Sequence, residues 1–179
     1  WQQATLLERW ALRSATGILA TTQFTAQECA RYNRISAEKF HIIPLCLSDQ
    51  TANPNPHFRL NGAFKLLCVA RQDNSERYKG VEMIFEALAM LRTTQPDVHL
   101  NLVGQGNDQS RLRAVAEDLG IASQVTFWGS LADADLTAAY KDCDVFVMPS
   151  KKEGFGIVFL EAMKFSKPCI GGNHGGTPD

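Results

Sequence analysis

The chain has 179 residues, 45% hydrophobic and 21% charged, which suits one globular domain, or one domain plus part of another, and is too apolar for a disordered polymer. Eighteen Lys and Arg against 19 Asp and Glu leave a net charge of −1, which argues against a basic nucleic-acid footprint. No run approaches the ~18 apolar residues of a membrane span. No charged and apolar leader opens the sequence, so a cytoplasmic protein without a secretory signal is expected. The five cysteines, Cys29, Cys46, Cys68, Cys143 and Cys169, are odd in number and widely spaced, which reads as reduced thiols. The chain starts at Trp1 and stops at Asp179, straight after a glycine-rich turn, so it reads as a piece of a longer protein.

In chain order, residues 2–14 read as a helix, Gly17 to Thr21 as a strand, 25–34 as a helix and Phe40 to Pro44 as a strand. Trp1, Leu7 and Trp10 on the first helix make an apolar stripe. It suits packing against a missing part of its own domain better than a membrane surface. The stretch Ser48 to Pro56 is polar, lacks periodicity and carries two prolines, which marks an interdomain linker. Beyond it the pattern changes. Lys65 to Ala70 is a near-continuous apolar run, as a buried strand requires. Val81, Ile84, Phe85, Leu88 and Leu91 then recur at helical spacing, giving a helix over 80–93. Val98 to Val103 is the next strand. Asn107 or Asp108 can cap a helix bearing Leu112, Val115, Ala116 and Leu119, which Gly120 stops. Val125 to Trp128 is a strand, and Ser130 and Asp133 open a short helix carrying Leu136, Ala139 and Tyr140. Val145 to Met148 is a strand, Ile157 to Phe165 a helix, and Pro168 to Ile170 begins another strand. Repeated strand–helix alternation predicts an α/β fold, a mainly parallel sheet with helices on both faces.

In such sheets ligands bind beyond the carboxyl ends of the strands, so the loops there deserve a close reading. After the first of the apolar strands, Arg71 directly follows the strand and Lys79 directly precedes a helix. Arg can grip a phosphate with a planar fork and Lys adds a point charge, so the pair can neutralise a diphosphate without a metal. The loop after Met148 reads Pro149-Ser150-Lys151-Lys152-Glu153-Gly154-Phe155-Gly156, and a helix follows from Ile157. Gly154 and Gly156 just before a helix favour an anion, because free N–H groups and the helix dipole point there. Glu153 and Glu161, with seven residues between them, can accept hydrogen bonds from hydroxyls at two ends of a sugar-containing ligand. Gly104-Gln105-Gly106 lacks the third glycine of a dinucleotide fingerprint and follows the second strand rather than the first, against a nicotinamide site. His174 reads as an ordinary loop residue, and no Cys/His spacing resembles a zinc site.

The block from Glu153-Gly154-Phe155-Gly156 to Glu161-Ala162-Met163, with Pro149-Ser150 before and Lys167-Pro168 after, resembles the E-x7-E signature of the retaining GT-B glycosyltransferases of group 1. Ala70-Arg71, Lys79-Gly80, Leu102-Val103-Gly104, Val125 to Gly129 and Gly175-Gly176 stand around it in that family's order. The resemblance implies two Rossmann-like domains facing a cleft. Residues 1–49 would be the tail end of the N-terminal, acceptor domain, 50–63 a linker, and 64–179 a truncated donor-binding C-terminal domain. It implies an NDP-sugar donor bound by Arg71, Lys79, Glu153, Gly154, Phe155, Gly156, Ile157 and Glu161. Arg71 and Lys79 would contact the diphosphate, the Gly154–Gly156 amides the diphosphate and sugar, Glu153 the transferred sugar and Glu161 the ribose. Arg71, Lys79 and Glu153 are then the catalytic group, in a hexosyltransferase that retains configuration and needs no obligatory metal or other cofactor. The acceptor is a saccharide, lipid or small molecule, nucleic acid is no partner, and the full-length protein is compatible with a peripheral place at a membrane. The chain alone is expected to transfer nothing. Leu45-Cys46-Leu47-Ser48 stands where the family often has an Asn-Gly-Val turn, and Arg77 is an additional cation between Arg71 and Lys79. A non-catalytic nucleotide-sugar binding module and a sugar-nucleotide epimerase or phosphorylase of the same architecture are the competing readings.

Overall fold

The computed structural model describes residues 5–48 and 51–179, and the chain divides into two units. The first unit is the chain up to Cys46 with Lys152–Gly156 and His174–Asp179. Helix α1 (Leu6–Ser14) starts at a capping box: the Thr5 N–H donates to Glu8 Oε2 at 2.6 Å, and the Glu8 N–H to Thr5 Oγ1 at 3.3 Å. The cap sets the helix start at Leu6; Trp1 to Ala4, read as part of the stripe and of the helix, lie outside the described residues. Leu7 and Trp10 are exposed, and so is Leu6. At the other end of α1, Lys39 Nζ donates to the carbonyls of Arg13 and Ala15 at 2.7 and 2.9 Å, where a cation complements the helix dipole. Strands β1 (Ile18–Ala20) and β2 (Phe40–Ile42) pair in parallel across helix α2 (Gln23–Asn33), which Thr22 caps by accepting from the Thr25 N–H.

The second unit comprises Leu47–Lys151 and Ile157–Asn173. Its strands are β3 (Phe64–Val69), β4 (Val98–Val103), β5 (Val125–Gly129), β6 (Val145–Met148) and β7 (Cys169–Gly171). They form one all-parallel sheet in the order β5-β4-β3-β6-β7. Helices α3 (Val81–Leu91) and α4 (Gln109–Asp118) connect β3 to β4 and β4 to β5, and pack on each other. Helices α5 (Asp133–Asp142) and α6 (Ile157–Lys164) connect β5 to β6 and β6 to β7, running in the opposite direction across the sheet. Parallel crossovers are right-handed, so this reversal puts the two helix pairs on opposite faces. The strands are apolar on both sides for that reason: Leu67, Cys68, Leu100, Leu102, Phe146 and Met148 are all buried. Each of the buried Leu, Phe and Met side chains contributes about 1.5–3 kcal/mol by leaving water. Phe85 and Leu88 fill one face, and Tyr140, Phe159 and Ala162 the other.

Residues 51–63, within the stretch read as an interdomain linker, pack on this second unit. Asn55 Nδ2 donates to Asp135 at 2.7 Å, the Leu60 N–H to Asp142 at 2.8 Å, and the Asn61 N–H to Asn101 Oδ1 at 2.9 Å. Phe58 lies 4.9 Å from the Trp128 ring, and Leu60 is buried. The end of α4 is a Schellman motif: Gly120 has φ +67°, its N–H bonds the Glu117 carbonyl, and the Ile121 N–H bonds that of Ala116. At the other end the expected cap differs. Asp108 occupies the N-cap position, but its carboxylate takes Arg111 and Arg77 instead of a backbone N–H. Charge-assisted bonds to guanidinium groups outcompete a neutral amide. Among the described residues no helix is long and apolar enough to cross a membrane.

Candidate functional site

Strand β3 is the reversal point of the sheet: α3 leaves it toward β4, while its other neighbour β6 sends α6 toward β7. The loops after β3 and β6 therefore flank the crevice where doubly wound sheets bind ligands. The structure ties these two loops together. The Lys151 N–H donates to the Tyr78 carbonyl at 2.8 Å. Gly80 has φ +81°, and a Cβ there would lie 2.5 Å from the Pro149 carbonyl oxygen. A glycine is thus required twice over, for the left-handed turn into α3 and for the close passage of the β6 loop.

Arg71 and Lys79, the two cations expected at a diphosphate, stand at the two ends of the β3 loop. Arg71 is largely exposed and forms an ion pair with Glu76, whose side chain is 10% exposed. The second Glu76 oxygen, Oε2, is buried without a hydrogen-bond partner. Lys79 ends the 3-10 stretch Asn74–Lys79, its Nζ 5.5 Å from the Tyr78 ring centroid. Burial pushes the nearby Cys68 thiol up to about 12, with the Lys79 charge acting against that rise. Arg77, the additional cation, is engaged below the loop. It meets Asp108 at 3.3 Å; Asp108 also accepts from Arg111 at 2.6 and 2.8 Å, and Arg111 reaches Glu82 at 2.6 Å. The hydrogen bonds from Arg111, with Arg77 behind them, hold the Asp108 carboxyl below the usual carboxylate range. A crevice of about 10 Å³ lies among Arg71, Glu76, Arg77 and this network.

The loop between β3 and α3 also leans on that after β4. The Ala70 and Gln72 N–H groups donate to Val103 and Gln105 carbonyls at 3.0 and 3.1 Å, and Gln72 Nε2 to the Gly104 carbonyl at 2.8 Å. Gly104 has φ +124°, with its absent Cβ 2.0 Å from the Ala70 carbonyl oxygen. The Gly-x-Gly pair thus lets two loops pass, and it has no dinucleotide-fingerprint context.

Glu161 lies in the second turn of α6, with its carboxylate Oε2 accepting from the Tyr140 hydroxyl at 2.7 Å. Burial, and the bond to Glu161, push the Tyr140 phenol upward, so it stays a proton donor at any physiological pH. Glu161 and Tyr140 border a cavity of about 270 Å³, with Leu47, Ser48, Thr51, Ala52, Asp133, Leu136, Thr137, Lys164 and Phe165. This cavity and the crevice at Arg71 share no residue. Ile157 is the first residue of α6 and is exposed.

Glu153, Gly154, Phe155 and Gly156 belong to the first unit. There the Gly154 carbonyl accepts from the Thr22 and Thr25 hydroxyls at 2.8 and 3.2 Å, and the Glu153 carbonyl from the Gly176 N–H at 2.7 Å. Thr22 thus serves both as cap of α2 and as anchor of this loop. Among the described residues no group of three or more His, Cys, Asp or Glu is placed to hold a metal ion. Tyr140 and Glu76 are the residues that sequence reasoning passed over. Tyr140 sits at a helix-core position and reads as packing, and the Arg71–Glu76 pair closes across a loop whose course no periodicity predicts.

A parallel sheet wound both ways from adjacent strands, with cations on the loops at the reversal, is the Rossmann-like unit of GT-B glycosyltransferases. The chain belongs to the glycosyl transferases group 1 family, whose pattern it matches over residues 49–179. It is 38% identical to the GDP-mannose-dependent alpha-(1-6)-phosphatidylinositol monomannoside mannosyltransferase of Mycolicibacterium smegmatis, over 96% of this chain and 49% of that one. Among solved structures it is similar to the apo lipopolysaccharide outer core galactosyltransferase WaaB, at 28% identity and TM-score 0.70, over 92% of this chain and 45% of that one. It shares the fold of Anabaena Alr3699/HepE in complex with UDP-glucose at 23% identity and TM-score 0.76, over 94% and 48% of the two chains. The chain spans about half the length of these relatives.

Proposed function

We propose that this chain is the donor-binding part of a retaining, metal-independent glycosyltransferase that moves a sugar from a nucleoside diphosphate to an acceptor hydroxyl. The observation that supports it most is the joining of the β3 and β6 loops at the sheet reversal, with Arg71 and Lys79 on the first of them. In the reaction the bond from the anomeric carbon to the diphosphate oxygen breaks, and a bond to the acceptor oxygen forms on the same face of the sugar. The acceptor loses its proton, and the diphosphate leaves with extra negative charge. Two cations fixed at that charge lower the barrier, as other donors aimed at developing anions do, by about 2.7–4 kcal/mol for a well-placed contact. Arg71 leaves Glu76 for the diphosphate, exchanging one anion for another. Glu161 takes the ribose and the α6 terminus at Ile157 serves the anion; the family resemblance assigns the transferred sugar to Glu153 and further anion contacts to the amides of Gly154, Phe155 and Gly156. Glu153 and the glycines enter this proposal through their spacing to Glu161 in the chain, not through a distance. The mannosyltransferase likeness makes GDP-mannose the first donor to try, with UDP-glucose beside it.

Calorimetric titration of GDP and UDP into the chain and into Lys79→Ala and Arg71→Ala tests the reading. Each substitution should weaken the nucleotide that binds by about tenfold or more, since hydrogen bonds to charged groups carry about 1.5–3 kcal/mol. Unchanged affinity in both variants would remove the diphosphate from this loop. Transfer from GDP-mannose or UDP-glucose by the full-length protein, lost with Lys79→Ala, tests the activity itself.

A further inference from the structure

The Tyr140 hydroxyl needs a reason. The ring is 2% exposed and packs with its centroid 6.0 Å from Phe146 and 6.4 Å from Phe165, and a phenylalanine would fill the same space. Burying a hydroxyl is unfavourable unless it is paired, and its partner is the carboxylate of Glu161 at 2.7 Å. Glu161 has a long side chain with several rotatable bonds, and an ionised carboxylate only accepts. The phenol fixes one oxygen, Oε2, from a ring that the two phenylalanines hold in place. Lys164, one turn further along α6 and on the same cavity, does not compete for the carboxylate, because its Nζ donates to the Ser48 carbonyl at 2.7 Å. The remaining oxygen, Oε1, has no hydrogen-bond partner among the described residues. The cavity of about 270 Å³ beside it has room for about nine waters at about 30 Å³ each.

We propose that Tyr140 is a positioning residue for ribose recognition: it clamps Glu161 Oε2, so that Oε1 is presented in one orientation to a hydroxyl of the donor's ribose. This rests on the donor-site reading above, in which Glu161 takes the ribose. Tyr140 does not touch the ligand and acts through the carboxylate alone.

The test titrates GDP and UDP, each beside its 2′,3′-dideoxy counterpart, into the wild-type chain, Tyr140→Phe and Glu161→Ala. The wild type should prefer the ribose form of the nucleotide it binds by about tenfold or more. Tyr140→Phe should lose most of that preference and keep its affinity for the dideoxy form within about twofold. A merely structural Tyr140 would weaken both forms alike, and that result overturns the proposal. If Tyr140→Phe keeps the preference while Glu161→Ala loses it, the donor site stands and the clamp is wrong. If the wild type binds neither nucleotide, or Glu161→Ala keeps the preference, the donor reading fails and the clamp with it. Should Tyr140→Phe unfold, 3-fluorotyrosine placed at position 140 gives the answer by fluorine NMR. Its signal should shift with the ribose form and stay with the dideoxy form; equal response to both refutes the clamp.

Discussion

Single residues in the β3 loop set the competition that the proposed diphosphate has to win. Arg71 is held by Glu76, and Glu76 keeps one buried oxygen without a partner. A carboxylate in that condition is costly, which favours exchanging partners when an anion arrives. Glu76→Gln removes the competing charge and frees Arg71. Nucleotide affinity should therefore rise, by a few-fold, where most loop substitutions lower it. Titration of GDP and UDP into Glu76→Gln checks this, and a fall in affinity would mean that Glu76 holds the loop in its binding shape instead. That Arg71 follows a strand and Lys79 precedes a helix was legible in the sequence. Glu76 was not, because a carboxylate in a polar loop carries no signal of whom it faces.

At the scale of elements, the crossing of the β3 and β6 loops hangs on Gly80. The residue combines φ +81° with a site 2.5 Å from the Pro149 carbonyl oxygen, so an added Cβ meets both strain and backbone. Gly80→Ala should destabilise the chain by about 1–3 kcal/mol from the left-handed conformation alone. The displaced loop should also carry Lys79 away and weaken nucleotide binding. Thermal unfolding and titration together decide it: wild-type stability and affinity in this variant would mean that the two loops can part without consequence. The helices themselves follow the sequence closely, from Val81 to Leu91 and from Asp133 to Asp142, because their apolar spacing is local. Their caps follow less well. Of Asn107 and Asp108, the two cap candidates, Asp108 takes the N-cap position but serves an ion-pair network, since Arg77 reaches it from a loop 31 residues earlier in the chain.

Across the whole molecule, acid should lower the stability of the chain in two steps. His99 lies in β4 with its Nε2 2.8 Å from the Thr126 hydroxyl, and burial lowers its pKa below the usual 6.5. The unfolded chain takes a proton there that the folded chain refuses, so stability is lost as pH falls below about 6.5 and the loss levels off beneath the folded pKa. Asp108 works in the other sense. Hydrogen bonds from Arg111 lower its folded pKa, so its stabilisation is fully present above the ordinary 3.8 and disappears as pH falls through the depressed value. Melting temperature followed by circular dichroism should decline from pH 6.5 to 5 and again below pH 4. In His99→Gln the first decline should flatten and the second remain. A melting temperature constant from pH 7.5 to 5 in the wild type would contradict the role given to His99.

The sequence by itself determined the strands and helices of the second unit, the parallel sheet and the family. Each of these depends on period, on apolar runs such as Leu66 to Ala70, or on the short block from Glu153 to Glu161. Only the tertiary structure decided that residues 51–63 pack on the second unit, that Tyr140 donates to Glu161, and that Glu76 holds Arg71. It also decided that the loops after β3 and β6 meet, through Tyr78, Gly80, Pro149 and Lys151. Periodicity reports the face a side chain turns inward, because neighbours three and four residues apart share that face. It carries no record of a partner twenty or seventy residues away, which depends on how the sheet orders its strands and where the winding reverses.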